Sequence, residues 1–179
     1  LRLDRLDCSI ISNVESLLDF GAGDSDNSGF CKHYWKLEPD ARVNAQFRSH
    51  YELVNYHQTF DAVYANQVFE HIEKHELDFV IGYLSSSMKQ GAKILATIPN
   101  ICNWTKYICD WDHKSPLTFY QLGALFEKNK IFVKDVYRYT KRKHEIDLVD
   151  PNEQIVLDVL KKFFELDPAN FVAIIGEKQ

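Results

Sequence analysis

Seven short apolar runs alternate with segments of helical periodicity, and this alternation constrains the fold of the chain most strongly. Nearly continuous runs such as "KILATI" and "NFVAIIG" are typical of strands that are covered on both faces. Thr-x-x-Gln at 118 and Asp-Pro-x-Glu at 150 are typical of helix starts. The sequence thus predicts a mainly parallel α/β sheet with right-handed crossovers. The predicted strands are 16–20, 34–37, 51–55, 61–64, 92–98, 131–139 and 171–176, and the predicted helices are 73–88, 118–128 and 150–166.

The size and composition indicate one soluble globular domain over residues 1–179, with 1–14 as an N-terminal extension. The net charge of −5 argues against a dedicated nucleic-acid binder. No apolar run reaches the length of a membrane span. The first residue is Leu and not Met, so we expect a larger parent protein. Four cysteines without metal-like spacing predict reduced thiols in a cytoplasmic protein: Cys8, Cys31, Cys102 and Cys109.

Two glycines follow the first predicted strand, in "LLDFGAGDSDNSGF". Glycine permits a tight turn and a close approach of the backbone to a ligand. A dinucleotide fingerprint needs a third glycine where Asp26 stands, so a nicotinamide site is the least favoured interpretation.

Glu38 follows the second predicted strand. Nucleotide-binding folds with a parallel sheet place an acid there to bind the two ribose hydroxyls. Only ten residues, "DSDNSGFCKH", separate Gly23 from Tyr34, which predicts a short helix or an irregular turn there.

The motifs "LLDFGAGDS", "LEPD", "FDAVYANQVFEHI" and "GAKILATIPN" stand in the order and spacing of a known family. Over residues 15–177 the chain resembles the class I S-adenosylmethionine-dependent methyltransferases. The resemblance implies a Rossmann-like, mainly parallel seven-stranded sheet with helices on both faces and the last strand antiparallel. It also implies S-adenosyl-L-methionine as the cofactor. The residues that would bind or enclose this cofactor are Asp19, Gly21, Ala22, Gly23, Glu38, Asn66 and Gln67.

A narrower resemblance lies in "IPNICNWTKYICDWDHKSPLTFYQLGALFEKNKI". This stretch is similar to a subgroup of bacterial methyltransferases, many of which methylate hydroxyls of sugars or small molecules in polysaccharide and natural-product pathways. His113 lies on this stretch and His71 follows the fourth predicted strand, and both are candidate catalytic bases because histidine titrates in the useful range. Capping of the next helix is the alternative role for His71.

A metal site is also conceivable from the sequence. One group of small-RNA methyltransferases binds a divalent ion through Glu-x-x-Glu-His and a later His. Glu70, His71 and His113 match part of that pattern, but Gln67 replaces its first Glu, and hard cations favour carboxylates. We therefore predict no metal.

The sequence as a whole predicts an S-adenosylmethionine-dependent O-methyltransferase that acts on a glycan or small molecule. Two alternatives stay open: an RNA methyltransferase, and a non-catalytic methyltransferase-like domain that serves as a scaffold or partner module.

Overall fold

A computed structural model describes residues 8–56, 59–101, 110–139 and 171–179. The predicted helix over 150–166 lies outside these residues. The described strands are β1 (Val14–Phe20), β2 (Cys31–Leu37), β3 (Phe60–Asn66), β4 (Met88–Pro99), β5 (Ile131–Tyr139) and β6 (Phe171–Lys178). The described α-helices are α1 (Cys8–Ile11), α2 (His50–Asn55), α3 (Leu77–Ser86) and α4 (Phe119–Lys128).

The strands form one sheet in the order β2-β1-β3-β4-β6-β5. The first four are parallel, and β6 runs antiparallel to both of its neighbours. The mainly parallel sheet with an antiparallel last strand is therefore confirmed. Because β1, β2 and β3 point the same way, their carboxyl ends at Phe20, Leu37 and Asn66 meet at one edge of the sheet.

The described residues contain six strands rather than seven, because the predicted strand over 51–55 is the helix α2. Ser49 is the N-cap, with extended backbone and a side chain that accepts from Tyr51 N at 3.2 Å. The Glu52 carboxylate accepts from Arg48 N at 3.0 Å and so binds another amide at the helix start. These contacts resemble a capping box, and the Ser-x-x-Glu spacing that makes them possible outweighs the short apolar run that predicts a strand.

The two faces of the sheet are buried by alternate residues of each strand. Leu18 and Val63 face one side, where α3 and α4 pack, whereas Leu17 and Ala62 face the other side with Ile11 of α1. Alternation of this kind is expected for strands with a period of two. It confirms that helices lie on both faces. The predicted helix over 73–88 is shorter in the structure, and Thr118 caps α4 with the expected capping box to Gln121.

The first crossover contains only the 3-10 turn Ser28–Phe30. Asp26 accepts from Ser28 N at 3.0 Å, and Lys36 Nζ donates to Ser25 O. A short irregular segment thus stands where a full helix would be usual in such a sheet, as the spacing predicted. Among the described residues, no helix is long and apolar enough to cross a membrane.

Candidate functional site

The turn after β1 is shaped by Gly21. Its backbone has φ +71°, a left-handed conformation that side chains other than glycine rarely adopt. Gly21 N and Ala22 N both donate to Leu37 O, at 2.8 and 3.3 Å, so the turn folds back onto the end of β2. A Cβ on Gly21 would lie 2.5 Å from a methyl carbon of Val68. Glycine is required here both by the backbone angle and by this contact with the segment after β3.

The second glycine of the turn, Gly23, joins the loop to the acid at the end of β2. Gly23 N donates to Glu38 Oε2 at 2.8 Å, and Asp40 N donates to Glu38 Oε1 at 3.0 Å. Gly23 also has a positive φ of +51°, but a Cβ there would meet nothing within 4 Å. The turn therefore brings the Glu38 carboxylate to the edge of an open space beside Gly23, where a ligand can approach the backbone closely.

Asp19 lies beneath this loop and is nearly fully buried. One carboxylate oxygen accepts from Tyr34 Oη at 2.6 Å and from Asn27 Nδ2 at 2.7 Å. Burial raises the pKa of the Asp19 carboxyl above its ordinary value, and these two hydrogen bonds oppose the rise. Asp19 thus holds the irregular crossover, through Asn27, against the sheet. Sequence reasoning identified Asp19 but not its partner Asn27.

The end of β3 is held by Thr97 of β4. The buried Thr97 hydroxyl donates to Asn66 Oδ1 at 2.8 Å. The same hydroxyl oxygen, Thr97 Oγ1, accepts from the backbone N and from Nε2 of Gln67, at 3.2 and 3.1 Å. Gln67 has φ +58°. A non-glycine residue in this conformation is uncommon and is often found at functional sites. No sequence signal identified this strained turn.

A cleft of about 310 Å³ opens next to the glycine turn. Its lining includes Phe20, Gly21, Arg48, Val68, His71 and Lys114. Of the predicted site residues, only Gly21 and His71 line this cleft. The predicted residues Asp19, Ala22, Gly23, Glu38, Asn66, Gln67 and His113 lie outside its lining, although the strand ends and the loops after them bring most of them to the same edge of the sheet.

The two candidate histidines come together beyond β3. The rings of His71 and His113 are 5.0 Å apart between centroids. His71 Nδ1 lies 3.2 Å from the carbonyl oxygen of Asp112 and 3.4 Å from its carboxylate, and His113 Nε2 lies 3.7 Å from the Asp110 carboxylate. The side chain of His113 is only 8% exposed. Both imidazoles are therefore oriented by the loop that carries the Asp-x-Asp-His sequence.

Glu70 lies against this histidine pair and is 1% exposed. Neither of its carboxylate oxygens has a hydrogen-bond partner among the described residues. Burial raises the pKa of Glu70 to about 8, with the charge of Asp110 acting in the same direction and the residue's own backbone N–H acting to lower it. Its backbone carbonyl accepts from Lys114 N and Ser115 N at 2.8 and 3.0 Å, which fastens the histidine loop to the segment after β3.

The metal-ligating atoms of Glu70, His71 and His113 all lie within 4.8 Å of one another. The sequence predicts no metal at these three residues. The spatial convergence of the three residues follows from the folding of the 110–117 loop onto Glu70.

No family model and no curated protein matches this sequence. Solved structures do match. A SAM-dependent methyltransferase from Archaeoglobus fulgidus superimposes with a TM-score of 0.77 at 21% identity, covering 99% of this chain and 91% of that one. The N-methyltransferase NodS from Bradyrhizobium japonicum WM9, in complex with S-adenosyl-L-homocysteine, gives a TM-score of 0.65 at 8% identity, with coverages of 99% and 86%.

The [4+2]-cyclase SpnF gives a TM-score of 0.66 at 14% identity, covering 99% of this chain and 80% of that one. Together these likenesses confirm the expected fold: the chain has the Rossmann-like fold of class I methyltransferases. They extend over nearly all of its length. They do not fix the chemistry, because the proteins that share the fold include an N-methyltransferase and a cyclase.

Proposed function

We propose that this chain, which has the fold of class I methyltransferases, is an S-adenosylmethionine-dependent methyltransferase. The observation that carries the proposal is the junction of the turn after β1 with the acid after β2. Gly23 donates to Glu38, and the space beside Gly23 is open. A sheet edge with a glycine turn and an adjacent carboxylate is suited to a nucleoside ligand, since ligands of open parallel sheets bind beyond the carboxyl ends of the strands.

Each strand end has a part in holding the cofactor under this proposal. The turn of Gly21, Ala22 and Gly23 would hold its methionine portion, and Asp19 would keep that turn in place from below. Glu38 would accept hydrogen bonds from the ribose hydroxyls, because a carboxylate offers about four acceptor sites and its two oxygens here use one backbone donor each. Asn66 and Gln67 would enclose the cofactor near the methyl group, fixed by Thr97.

We further propose that the acceptor is a hydroxyl of a glycan or small molecule, with the enzyme acting in the cytoplasm and in polysaccharide biosynthesis. Methyl transfer needs the acceptor oxygen in line with the sulfonium, so positioning is the main contribution of the protein. His113 is the favoured base or acceptor-orienting group and His71 the second candidate. Trp111 is 93% exposed two residues from His113 and would give a sugar or aromatic ring an apolar surface.

Calorimetry with S-adenosylmethionine and its demethylated product tests cofactor binding. Wild type should bind each at one site per chain, and Glu38→Ala should weaken binding at least about 100-fold, since hydrogen bonds to a charged group contribute roughly 1.5–3 kcal/mol each. Glu15→Ala is the matched control, because Glu15 lies on the opposite end of β1, on the surface, and pairs with Lys32. No binding by folded wild type would favour the scaffold alternative.

Acceptor class is tested separately with a labelled methyl donor and a panel of glycans, small-molecule hydroxyls and RNA. Methylation of hydroxyl acceptors, lowered in His113→Ala with cofactor affinity retained, supports the proposal. Transfer to RNA alone would contradict the acceptor assignment and favour the RNA methyltransferase alternative.

A further inference from the structure

We propose that Glu70, His71 and His113 form a binding site for a divalent transition-metal ion, next to the cleft that His71 lines. This goes against the absence of metal that the sequence predicts, and beyond the proposed methyl transfer. Two imidazoles and one carboxylate are a donor set that binds Zn²⁺, Fe²⁺, Co²⁺ or Ni²⁺. The replacement of a Glu by Gln67 disfavours a hard cation, which prefers carboxylates, but a set with two imidazole nitrogens favours softer cations.

The buried carboxylate of Glu70 is the first line of evidence. Burying a carboxylate is costly unless it is paired, hydrogen-bonded or bound to a metal. Glu70 is 1% exposed, and neither of its oxygens has a partner among the described residues. A cation between Glu70 and the histidines would compensate that burial.

The spacing of the three ligand atoms is the second line of evidence. They lie within 4.8 Å of one another. Bond lengths of about 2.0–2.2 Å in a tetrahedral Zn²⁺ site place neighbouring ligand atoms roughly 3.3–3.5 Å apart. Each pair therefore needs to close by at most about 1.5 Å, which side-chain rotation can provide. His71 is partly accessible and lines the cleft, so an ion can enter from there and keep a coordination position toward it.

The groups around the histidines fit a metal site as well. Metal-ligating histidines commonly offer their second ring nitrogen to a carboxylate or a backbone carbonyl. Asp112 presents both to His71 Nδ1, so we assign Nε2 of His71 to the ion, and Asp110 lies 3.7 Å from His113. Lys114, the nearby cation of the same loop, has its ammonium group 3.7 Å from Glu73. An ion held here would orient an acceptor hydroxyl from the cleft side, and His113 and His71 would then be acceptor-orienting groups that act through the ion.

The test uses the full chain freed of metal with a chelator and titrated with Co²⁺ alone, followed by visible absorption and calorimetry. The wild type should bind one Co²⁺ per chain, with a spectrum of nitrogen and oxygen ligation, and Zn²⁺ should displace it. Glu70→Gln and His113→Gln should each weaken Co²⁺ binding at least tenfold, because even residues that only orient ligands change affinity by about 10–100-fold. His75→Gln, an exposed histidine outside the cluster, is the control and should bind as the wild type does.

Glu70→Gln keeps the shape of the side chain, so it separates a metal ligand from a buried carboxyl of purely structural importance. Stoichiometric binding that neither variant weakens, thiolate bands in the Co²⁺ spectrum, or no saturable binding to the folded wild type would each overturn the assignment. These titrations contain no cofactor. Calorimetry of the metal-free chain with S-adenosylmethionine tests the proposed function separately, so the two failures are distinguishable.

Discussion

Gly21→Ala tests whether the turn after β1 is fixed by its contact with Val68. The substitution forces a non-glycine residue to φ +71° and places a Cβ 2.5 and 2.9 Å from the two methyl carbons of Val68. The left-handed backbone costs about 1–2 kcal/mol. Overpacking against a valine, whose χ1 is stiff, adds about 1–3 kcal/mol. We therefore expect Gly21→Ala to lower the free energy of unfolding by roughly 2–5 kcal/mol.

A double-mutant cycle with Val68→Ala separates the two contributions. In the Val68→Ala background the overlap is gone, so Gly21→Ala should cost only the backbone part, about 1–2 kcal/mol. Urea unfolding followed by circular dichroism gives the four free energies. A coupling energy near zero would refute the contact between the glycine turn and the segment after β3, and an unchanged stability of the single variant would refute the turn conformation itself.

Three further substitutions test the rest of the site. Gly23→Ala should cost only about 1–2 kcal/mol in urea unfolding, because its Cβ meets nothing, yet in calorimetry it should weaken S-adenosylhomocysteine binding more than the stability loss explains. Because the pKa of Asp19 is higher in the folded chain than in the unfolded chain, its contribution to stability is fully present below the unfolded pKa and is lost as pH rises through the folded pKa. Asp19→Asn should therefore flatten the dependence of the unfolding free energy on pH across that acidic range. An unchanged pH profile would contradict the burial of this carboxyl. Thr97→Val should destabilise the chain by about 1–3 kcal/mol in thermal or urea unfolding, because Asn66 and Gln67 lose a buried partner; a neutral result would mean that this network does not order the end of β3.

The sequence was most informative where one local signal decides the structure. β5 has the predicted bounds, and α4 begins after Thr118 because the capping box is a contact within four residues. The glycine turn and the position of Glu38 after β2 were also predictable, since a strand followed by Gly-x-Gly has few alternatives in a parallel sheet. The resemblance then supplied the antiparallel last strand, which depends on long-range pairing.

Other features were not predictable because they depend on contacts between distant segments. The strained backbone of Gln67 depends on Thr97, which lies thirty positions along the chain. The burial of Glu70 depends on the 110–117 loop, so its sequence neighbours give no sign of it. The wrong prediction at α2 has a local cause: a short apolar run over 51–55 is compatible with a strand, but Ser49 and Glu52 give the helix-start spacing that decides the structure.

A crystal structure of the chain with S-adenosylhomocysteine shows whether Glu38 binds the ribose of the cofactor. We expect the ribose hydroxyls within hydrogen-bond distance, roughly 2.5–3.2 Å, of the Glu38 carboxylate, with the homocysteine portion against Gly23 and beside Gln67. A ligand bound with its ribose away from Glu38, or crystals of the folded chain that stay empty at saturating ligand, would contradict it.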